Sequence, residues 1–400
     1  MHPDVIILGA GAAGLMCALT AAQRGRSVLV LEKSNKVGKK ILMSGGGRCN
    51  FTNYHVTAEN FICSNPHFVK SALHRYTPED FIDLVETHGI EYEERRHGQL
   101  FCQNSAKDIV TMLLAECHSA GVNILTHCNS VDVTPTAENS GYCLTFEHDN
   151  TRQTQRCESL VIATGALSIP TLGGSDFGYA IARKFGLKLI ERRAGLVPFM
   201  FTGSTKNLCE RLSGLALEIE VRCNDQSFTE NMLFTHRGLS GPAILQISNY
   251  WHPGDLLIIN LFPEIDPHHW LLDTKRSQPS IHLKTLLSQV LAKSLVTELM
   301  QEFWSTLDGR RLDSIADAQL RQVAQQLQHW ALKPAATEGY RTAEVTLGGV
   351  CADGISSKTM EAKDHTGLFF IGEVLDVSGH LGGFNFQWAW SSGHCAGQCV

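Results

Sequence analysis

Short apolar runs without polar interruptions recur along the chain, and each is typical of a strand buried on both faces of a sheet. The predicted buried strands are residues 5–8, 27–31, 159–163 and 368–371. Between the first two runs lies a helical pattern, residues 12–24, which ends at Gly25, a usual residue just past a helix C-terminus. The chain therefore begins with a β-α-β unit.

Two further helices are predicted from their capping residues. Thr77 stands before Pro78, which suits the first position of a helix. Ser105 is followed three residues later by Asp108, the spacing of a capping box, and that helix is expected to stop at Gly121.

The pattern changes after Pro198. Alternating stretches at residues 217–222 and 256–262 predict antiparallel strands, whereas residues 282–304 and 316–331 predict amphipathic helices rich in Leu, Gln and Lys. Strand character returns near Thr342, ahead of the last buried run. The chain thus contains an insertion of mixed β and helical character.

A glycine fingerprint lies at the first strand-to-helix turn. Gly9, Gly11 and Gly14 form a G-x-G-x-x-G: the first permits the tight turn, the second a close approach of the backbone to a pyrophosphate, and the third close helix–strand packing. Glu32 ends the second strand, where a carboxylate accepts hydrogen bonds from an adenosine ribose. Because this context is complete, the sequence predicts dinucleotide binding rather than a merely structural turn.

Three features favour FAD over NAD. A second glycine-rich segment with basic neighbours follows soon after Glu32, one strand ends in Ala-Thr-Gly, and the last strand is followed by Gly-Glu and Gly-Phe-Asn. A cofactor contacted from both ends of the chain is large and deeply buried. The predicted cofactor contacts are the three fingerprint glycines with Ala13, Glu32, Lys33, Lys40, Ser44, Gly45, Gly46, Gly47, Arg48, Asn50, Val131, Ala163, Thr164, Gly165, Gly372, Glu373, Asp376, Gly383, Phe384 and Asn385.

The predicted fold class is α/β, with a Rossmann-type FAD-binding domain that is interrupted by an inserted domain. The FAD-binding domain is expected to comprise residues 1–195 and 341–400. The inserted substrate domain is expected at residues 196–340, β-rich at 196–265 and helical at 280–335.

Composition narrows the class of protein. A hydrophobic fraction of 43% and a charged fraction of 18% are typical of a globular protein, and the net charge of −6 argues against binding nucleic acid by global electrostatics. The 13 cysteines include no C-x-x-C pair, so we expect no metal site and mostly buried free thiols in a reducing cytoplasm. The apolar start lacks a basic n-region and its glycines belong to the fingerprint, so we expect neither a targeting segment nor a membrane span.

With these motifs in view, the chain resembles the YhiN-like (BaiN-like) flavoproteins, also called the aminoacetone-oxidase type. The resemblance covers essentially the whole chain and depends on four strings, residues 40–50, 233–242, 372–376 and 383–390. One departure is Ala166, where the family commonly has a glycine; the methyl group is tolerable if the backbone there is in an ordinary region.

The resemblance implies an FAD enzyme without a second nicotinamide fingerprint, with NADH or NADPH as the external electron donor. Relatives are associated with small-amine oxidation and with reduction of activated C=C bonds. The bacterial members that look most similar are linked to dihydrouridine in large-subunit ribosomal RNA. The resemblance therefore implies hydride delivery to a uracil C=C bond, with ribosomal RNA as the possible partner.

Such a reduction also needs an acid. Cys49 is one candidate, and the alternative is a small residue packed beneath the cofactor. His236 is a second candidate proton donor and Arg237 a candidate anion stabiliser, unless they belong to a turn held by side-chain hydrogen bonds. We interpret Ser240 as part of a turn and helix start rather than as a nucleophile. We interpret Trp388 and Trp390 as core residues rather than as pocket walls or platforms for base stacking.

Three functions remain open from the residues alone. The first is an FAD-dependent reductase of uridine in ribosomal RNA, and the second is a small-molecule amine oxidase or enoate-type reductase. The third is a flavin-binding redox module without turnover. The basic pairs Arg95-Arg96, Arg192-Arg193 and Arg310-Arg311 give the RNA hypothesis only modest support, because isolated pairs are usually solvated.

Overall fold

The computed structural model describes residues 2–136 and 141–400. The first part of the chain contains twelve strands and six helices within the described residues: β1 Val5–Leu8, α1 Ala12–Gln23, β2 Val28–Leu31, α2 Lys39–Met43, β3 Asn50–Asn53, β4 Phe61–Ile62, α3 Lys70–Arg75, α4 Pro78–Thr87, β5 Tyr92–Arg95, β6 Gln99–Cys102, α5 Ala106–Ser119, β7 Asn123–Leu125, β8 Asn129–Pro135, β9 Tyr142–His148, β10 Thr151–Cys157, β11 Ser159–Ile162, α6 Phe177–Lys184 and β12 Leu189–Gly195.

The middle and the end of the chain continue this series. The middle part contains β13 Phe199–Met200, α7 Gly203–Arg211, β14 Ala216–Cys223, β15 Gln226–Thr235, β16 Gly238–Ser240, α8 Pro242–Ser248, β17 Leu257–Asn260, α9 Pro267–Ser277, α10 Leu283–Leu287, α11 Lys293–Phe303, α12 Asp317–Gln328, β18 Trp330–Leu332 and β19 Ala336–Thr337. The end contains β20 Val345–Val350, β21 Leu368–Phe370, β22 Ser378–Gly379 and α13 Phe384–Gly397.

The chain divides into two compact units, Met1–Ala194 with Ala343–Val400, and Gly195–Thr342. In the first unit, five strands form a parallel sheet in the order β21-β11-β1-β2-β7. The strands β1, β2 and β11 are completely buried, as their apolar sequences predict. The residues predicted to contact FAD lie in the first unit, so we call it the FAD unit, and we call the second the inserted unit.

The predicted helix boundaries in the FAD unit are confirmed. The Thr77 hydroxyl accepts a hydrogen bond from the Asp80 N–H at the start of α4, and α5 is capped by Ser105. α1 ends one residue before its C-cap Arg24, and the following Gly25 has a φ of 87°. These boundaries depend on hydrogen bonds between near neighbours, which is why the sequence pattern locates them.

The C-terminal segment completes the FAD unit. β21 pairs with β11, and α13 packs on α1 so closely that a Cβ on Gly393 would lie 2.5 Å from the Ala13 carbonyl oxygen. Trp388 and Trp390 of this helix are 2% and 0% exposed, so the prediction that they belong to the core is confirmed. Trp390 stacks on Phe81 with ring centroids 4.3 Å apart.

The inserted unit contains a seven-stranded sheet in the order β18-β17-β14-β15-β16-β13-β19, with its own hydrophobic core. The single helix predicted at residues 282–304 is wrong: α10 and α11 are separated by a turn. The Ser288 hydroxyl donates to the Lys284 carbonyl at the end of α10, and Val290 in the turn is 46% exposed. The helix predicted to reach residue 331 ends at Gln328, because Trp330 pairs with Ile259 in the sheet.

The described residues contain neither a membrane-spanning helix nor a metal-binding cluster of side chains. Across 2–136 and 141–400, no helix combines the length and apolar character that a membrane crossing requires. The same residues contain no group of three or more His, Cys, Asp or Glu side chains arranged to hold a metal ion. All 13 cysteines are free thiols and most are buried.

Candidate active site

The fingerprint turn joins β1 to α1 at the carboxyl end of the parallel sheet. A Cβ on Gly9, whose φ is 106°, would lie 2.5 Å from the Ala163 carbonyl oxygen, and one on Gly14 would lie 2.0 Å from the Gly9 carbonyl oxygen. Nothing lies within 4 Å of a Cβ placed on Gly11. Gly9 and Gly14 are therefore required by packing. Gly11 leaves the start of α1 open to a ligand, as a pyrophosphate site requires.

Glu32 is held against this turn by backbone donors. One carboxylate oxygen accepts from the Ala10 N–H at 2.8 Å and the other from the Ser34 N–H at 2.7 Å. The Glu32 carbonyl accepts from the Cys128 N–H, which brings the segment leading to Val131 beside the same turn. The neighbouring Lys33 is exposed. The carboxylate is thus oriented beside the fingerprint, where a ribose hydroxyl could donate to its remaining lone pairs.

The second glycine-rich segment follows α2. Gly45, Gly46 and Gly47 have φ values of 55°, 67° and 86°, in the left-handed region that favours glycine. A Cβ on Gly45 would lie 2.8 Å from the Phe101 ring, above which the Arg95 guanidinium is centred at 4.1 Å. The remaining polar members of this segment have protein partners: the Ser44 hydroxyl donates to the Ile41 carbonyl, and Arg48 pairs with Glu93 at 3.3 Å.

Lys40 and Glu373 form an ion pair, although they are more than 300 residues apart in the sequence. The Lys40 ammonium donates to Glu373 at 2.7 Å and to the Ser168 hydroxyl at 2.6 Å. The other Glu373 oxygen accepts from the Ser168 hydroxyl at 2.9 Å and from the Thr346 N–H at 3.0 Å. The ammonium keeps one N–H beyond these two bonds. The sequence analysis did not identify Ser168 and Thr346 as site residues, because a single hydroxyl residue near a predicted strand is only a weak signal of a binding site.

The C-terminal motif adjoins the second glycine-rich segment. With its amide oxygen turned toward Gly383, Asn50 accepts the Gly383 N–H at 3.1 Å. Gly383 has a φ of 95° and precedes Phe384, the first residue of α13. The Asn385 amide accepts from the Gly379 N–H at 2.8 Å and donates to the Gly379 carbonyl at 2.9 Å. The start of α13 is therefore anchored beside the glycine-rich segment.

Two predicted contacts, Gly372 and Asp376, and one residue that we missed, His380, lie near the same motif. Gly372 donates its N–H to the Ser392 hydroxyl, and a Cβ there would lie 2.9 Å from Ala13. Asp376 accepts from the Ser64 N–H, and burial raises the pKa of its carboxyl. His380 packs edge-on against Phe384, and burial lowers the pKa of its imidazole. Its signal in the sequence was a titratable side chain two residues before the pair Gly382-Gly383.

The strand end at Ala163 provides a test of whether a cofactor fits. Thr164 has a buried hydroxyl that lacks a hydrogen-bond partner within the described chain, and Gly165 beside it has a φ of 68°. A buried hydroxyl without a partner is costly unless a ligand group completes it. Ala166 has no positive φ, so the methyl group is tolerated there as expected. The unpartnered hydroxyl and the open start of α1 both fit a bound dinucleotide.

Cys49 is fully buried by protein atoms alone, with a φ of 49° and its N–H bonded to the Ser44 carbonyl. Burial raises the pKa of its thiol far above the ordinary value. Such a thiol remains protonated but has no open path to a substrate. These features favour the packing alternative for Cys49 over the proton-donor hypothesis.

His236 and Arg237 form the two-residue tip of the hairpin between β15 and β16. The Thr235 hydroxyl accepts from the Arg237 and Gly238 N–H groups, so side-chain hydrogen bonds do hold this turn. His236 is nevertheless exposed, and the Arg237 guanidinium lies 3.8 Å from Glu338. Ser240 leads into Gly241 and α8, where Pro242 occupies the first position, so the helix-start prediction is confirmed.

Comparison with known proteins identifies the family to which the chain belongs. The profile of the family described as "HI0933-like protein Rossmann domain" matches residues 3–399. The chain belongs to the HI0933-like family. This membership, together with the relatives below, confirms the resemblance drawn from the motif strings and the predicted fold class.

Two curated relatives align with this chain over nearly its whole length. The ribosomal RNA dihydrouridine synthase of Escherichia coli is 48% identical, over 99% of this chain and 97% of that protein. The 3-dehydro-bile acid delta(4,6)-reductase of Clostridium scindens is 26% identical, over 98% of each chain. Among solved structures, 3-ketosteroid-delta4-(5alpha)-dehydrogenase from Rhodococcus jostii shares the fold, with a TM-score of 0.51 at 15% identity over 99% of this chain and 96% of that one. The protein is an FAD-dependent oxidoreductase.

Proposed function

We propose that this protein reduces the C=C bond of a uridine in large-subunit ribosomal RNA to give dihydrouridine. The observation that carries the proposal is the 48% identity, over almost the full length, to the ribosomal RNA dihydrouridine synthases of Escherichia coli and Haemophilus influenzae. The site chemistry supports it, since an FAD-dependent oxidoreductase can deliver the hydride that such a reduction requires.

The residues of the FAD unit would hold the cofactor in place. We assign the pyrophosphate to the N-terminus of α1 at Gly11, and the adenosine ribose to Glu32. The Lys40 N–H that is not used by Glu373 or Ser168, the Thr164 hydroxyl and the start of α13 at Phe384 are then the groups available to the rest of the cofactor. Bound FAD supplies the hydride, and NADH or NADPH is the proposed source of its electrons.

The substrate side needs a proton and a partner for negative charge. Hydride addition to one carbon of the uracil C=C bond leaves enolate-type charge on the carbonyl, and the neighbouring carbon takes up a proton. We assign the proton to His236, which is exposed at a rigid hairpin tip, and the charge stabilisation to Arg237. Cys49 remains a candidate acid only if substrate binding opens a path to its buried thiol.

A deletion strain tests the function directly. We expect mass mapping of its large-subunit ribosomal RNA to show one uridine in place of a dihydrouridine. Wild-type protein should restore the modification, and a variant with Gly11→Ala, which hinders the cofactor, should restore less of it. Unchanged dihydrouridine in the deletion strain would overturn the proposal.

Substitution of His236 tests the proton donor. We expect His236→Ala to retain reducible flavin but to lose turnover about 100-fold, the usual contribution of a positioned acid. His380→Ala is the matched comparison in the FAD unit. If His380→Ala loses turnover while His236→Ala does not, the acid belongs to the FAD unit and our assignment is wrong.

A small-molecule reductase is the second candidate function, favoured by the 26% identity to the bile acid reductase over 98% of both chains. Purified protein that reduces an enone steroid but not ribosomal RNA would support it. The 13 free thiols are consistent with a cytoplasmic location, which we propose for either function.

A further inference from the structure

The inserted unit contains a surface cavity of about 400 Å³ that the proposed reaction does not use; it is open to solvent, and Gln322 and His329 in its lining are exposed. It is lined by one face of α12 and by the segment at the end of α11. Its volume is within the range of small-ligand sites in proteins. The cavity therefore has room for one planar ring system with its substituents.

The side of the cavity formed by α12 is rich in amides. Gln319, Gln322 and Gln326 line it, and spacings of three and four residues put these side chains on one face of the helix. The Gln319 oxygen accepts from the Ala316 N–H at 3.2 Å, which leaves its NH₂ group available. Within the described chain, the amides of Gln322 and Gln326 have no protein partner. Each of them offers a donor and an acceptor to a ligand.

The segment at the end of α11 contributes aromatic and apolar side chains to the lining of the cavity. Phe303 is half-buried, with its ring centroid 6.1 Å from that of Trp304 and 6.4 Å, edge to face, from that of Trp330. Leu307 adds apolar surface from the same segment, and Val323 adds it from α12. An aromatic ring held in this way by its neighbours provides a face on which a planar group can stack.

Among the described residues, the lining of the cavity contains no acidic side chain and no Lys or Arg. The only titratable one of these lining residues is His329. Amide donors and acceptors in the same cavity as an aromatic ring suit an uncharged planar group with hydrogen-bonding edges, which is the chemistry of a nucleobase. A phosphate or carboxylate would find no cation there.

We propose that this cavity binds an unpaired nucleobase of the RNA substrate, stacked against Phe303 and hydrogen-bonded by Gln322 and Gln326. The proposal depends on the proposed function for the identity of the RNA. Sequence-specific RNA recognition uses such unpaired bases, stacked on aromatic side chains and bonded along their edges. Because no phosphate is neutralised, this contact contributes base recognition rather than salt-dependent affinity.

Nucleoside binding to the FAD-loaded protein tests the site without any turnover. Ligand-observed NMR with adenosine, guanosine, cytidine and uridine should detect at least one that saturates. We expect the double variant Gln322→Ala, Gln326→Ala to weaken that nucleoside about tenfold, as the loss of two amide partners implies. Alanine is the best helix former, so α12 should remain folded. Gln328→Ala is the matched control, an amide on the same helix that does not line the cavity.

Binding of a large-subunit ribosomal RNA transcript at several salt concentrations provides the second readout. The double variant should bind about tenfold more weakly at every salt concentration, with the slope of log K against log salt unchanged. A changed slope, an equal loss in Gln328→Ala, or binding of glucose or maltose in place of every nucleoside would overturn the proposal.

The deletion-strain assay separates this inference from the proposed function. If wild-type protein restores dihydrouridine while the double variant binds nucleosides and RNA normally, the cavity assignment fails and the function stands. If no dihydrouridine depends on the protein but nucleoside binding still requires Gln322 and Gln326, the function fails and the nucleobase site stands.

Discussion

Gly14 of the fingerprint and Gly46 of the second glycine-rich segment are required for different physical reasons. In the fingerprint, Gly14 is crowded, since a Cβ there would lie 2.0 Å from the Gly9 carbonyl oxygen. In the second segment, Gly46 has no atom within 4 Å of a Cβ, but its φ is 67°. The first glycine is required by packing in an ordinary helix, and the second by a backbone conformation that side chains disfavour.

This difference determines what each segment can tolerate. Crowding against a backbone carbonyl cannot be relieved without moving the strand or the helix, whereas conformational strain at an exposed glycine costs a limited amount of free energy. Substitutions of Gly14 and Gly46 should therefore differ in the size of their effect and in whether the free energy of unfolding or the affinity for FAD changes.

The largest effect is expected for Gly14→Ala. The new methyl group overlaps the Gly9 carbonyl, so the turn and α1 must separate. We expect the apoprotein to lose about 3 kcal/mol of stability and the purified protein to retain little FAD. Thermal unfolding of the apoprotein and flavin absorbance of the purified protein measure the two losses.

Gly11→Ala is the matched control in the same turn. Its φ is −86°, and nothing in the protein lies within 4 Å of the added Cβ. The apoprotein should unfold at the wild-type temperature while FAD binds more weakly. A destabilised Gly11→Ala apoprotein would show that crowding is not special to Gly14.

Glu32→Ala should have the next largest effect. Its carboxylate orients the fingerprint turn through the Ala10 N–H and is the proposed acceptor for the ribose. Loss of a charge-assisted acceptor should weaken FAD binding by about 1.5–3 kcal/mol. Titration of the apoprotein with FAD measures this, and Glu32→Gln, which keeps one oxygen acceptor, should lose less. FAD affinity unchanged in both variants would remove Glu32 from the site.

Gly46→Ala should have a smaller effect, about 1–2 kcal/mol of stability, because only the left-handed conformation is penalised. Gly46→Asn should recover part of the loss, since asparagine tolerates this region. Chemical denaturation of the three apoproteins gives the comparison. Equal losses in the alanine and asparagine variants would point to crowding rather than conformation.

The smallest effect concerns Cys49, at the end of the second segment. Burial raises the pKa of its thiol, so at neutral pH it should react with iodoacetamide neither in the holoprotein nor in the folded apoprotein. Cys399 is exposed and should be alkylated in both, although partial burial raises the pKa of its thiol and slows the reaction. Peptide mass mapping distinguishes the two sites. Alkylation of Cys49 after FAD removal would indicate that it faces the cofactor and would revive the proton-donor hypothesis.

The sequence alone determined the β-α-β start of the chain, the capped helices α4 and α5, and the glycine fingerprint with Glu32. Each of these depends on interactions between residues close in sequence, such as the Thr77 cap or the apolar run of β1. Residue types at fixed spacing are sufficient for them because the backbone geometry between near neighbours has few alternatives. The motif strings were long enough to identify the family as well.

Tertiary structure alone decided which of the predicted contacts pair with one another and which are buried. The ion pair between Lys40 and Glu373 joins segments that are far apart in sequence. The burial of Cys49 and the strand order of the seven-stranded sheet also depend on contacts between distant segments. The break between α10 and α11 likewise leaves Leu287 and Leu291 buried in the core of the inserted unit while Val290 is exposed. Such outcomes depend on packing summed over many distant side chains, and no local spacing encodes that sum.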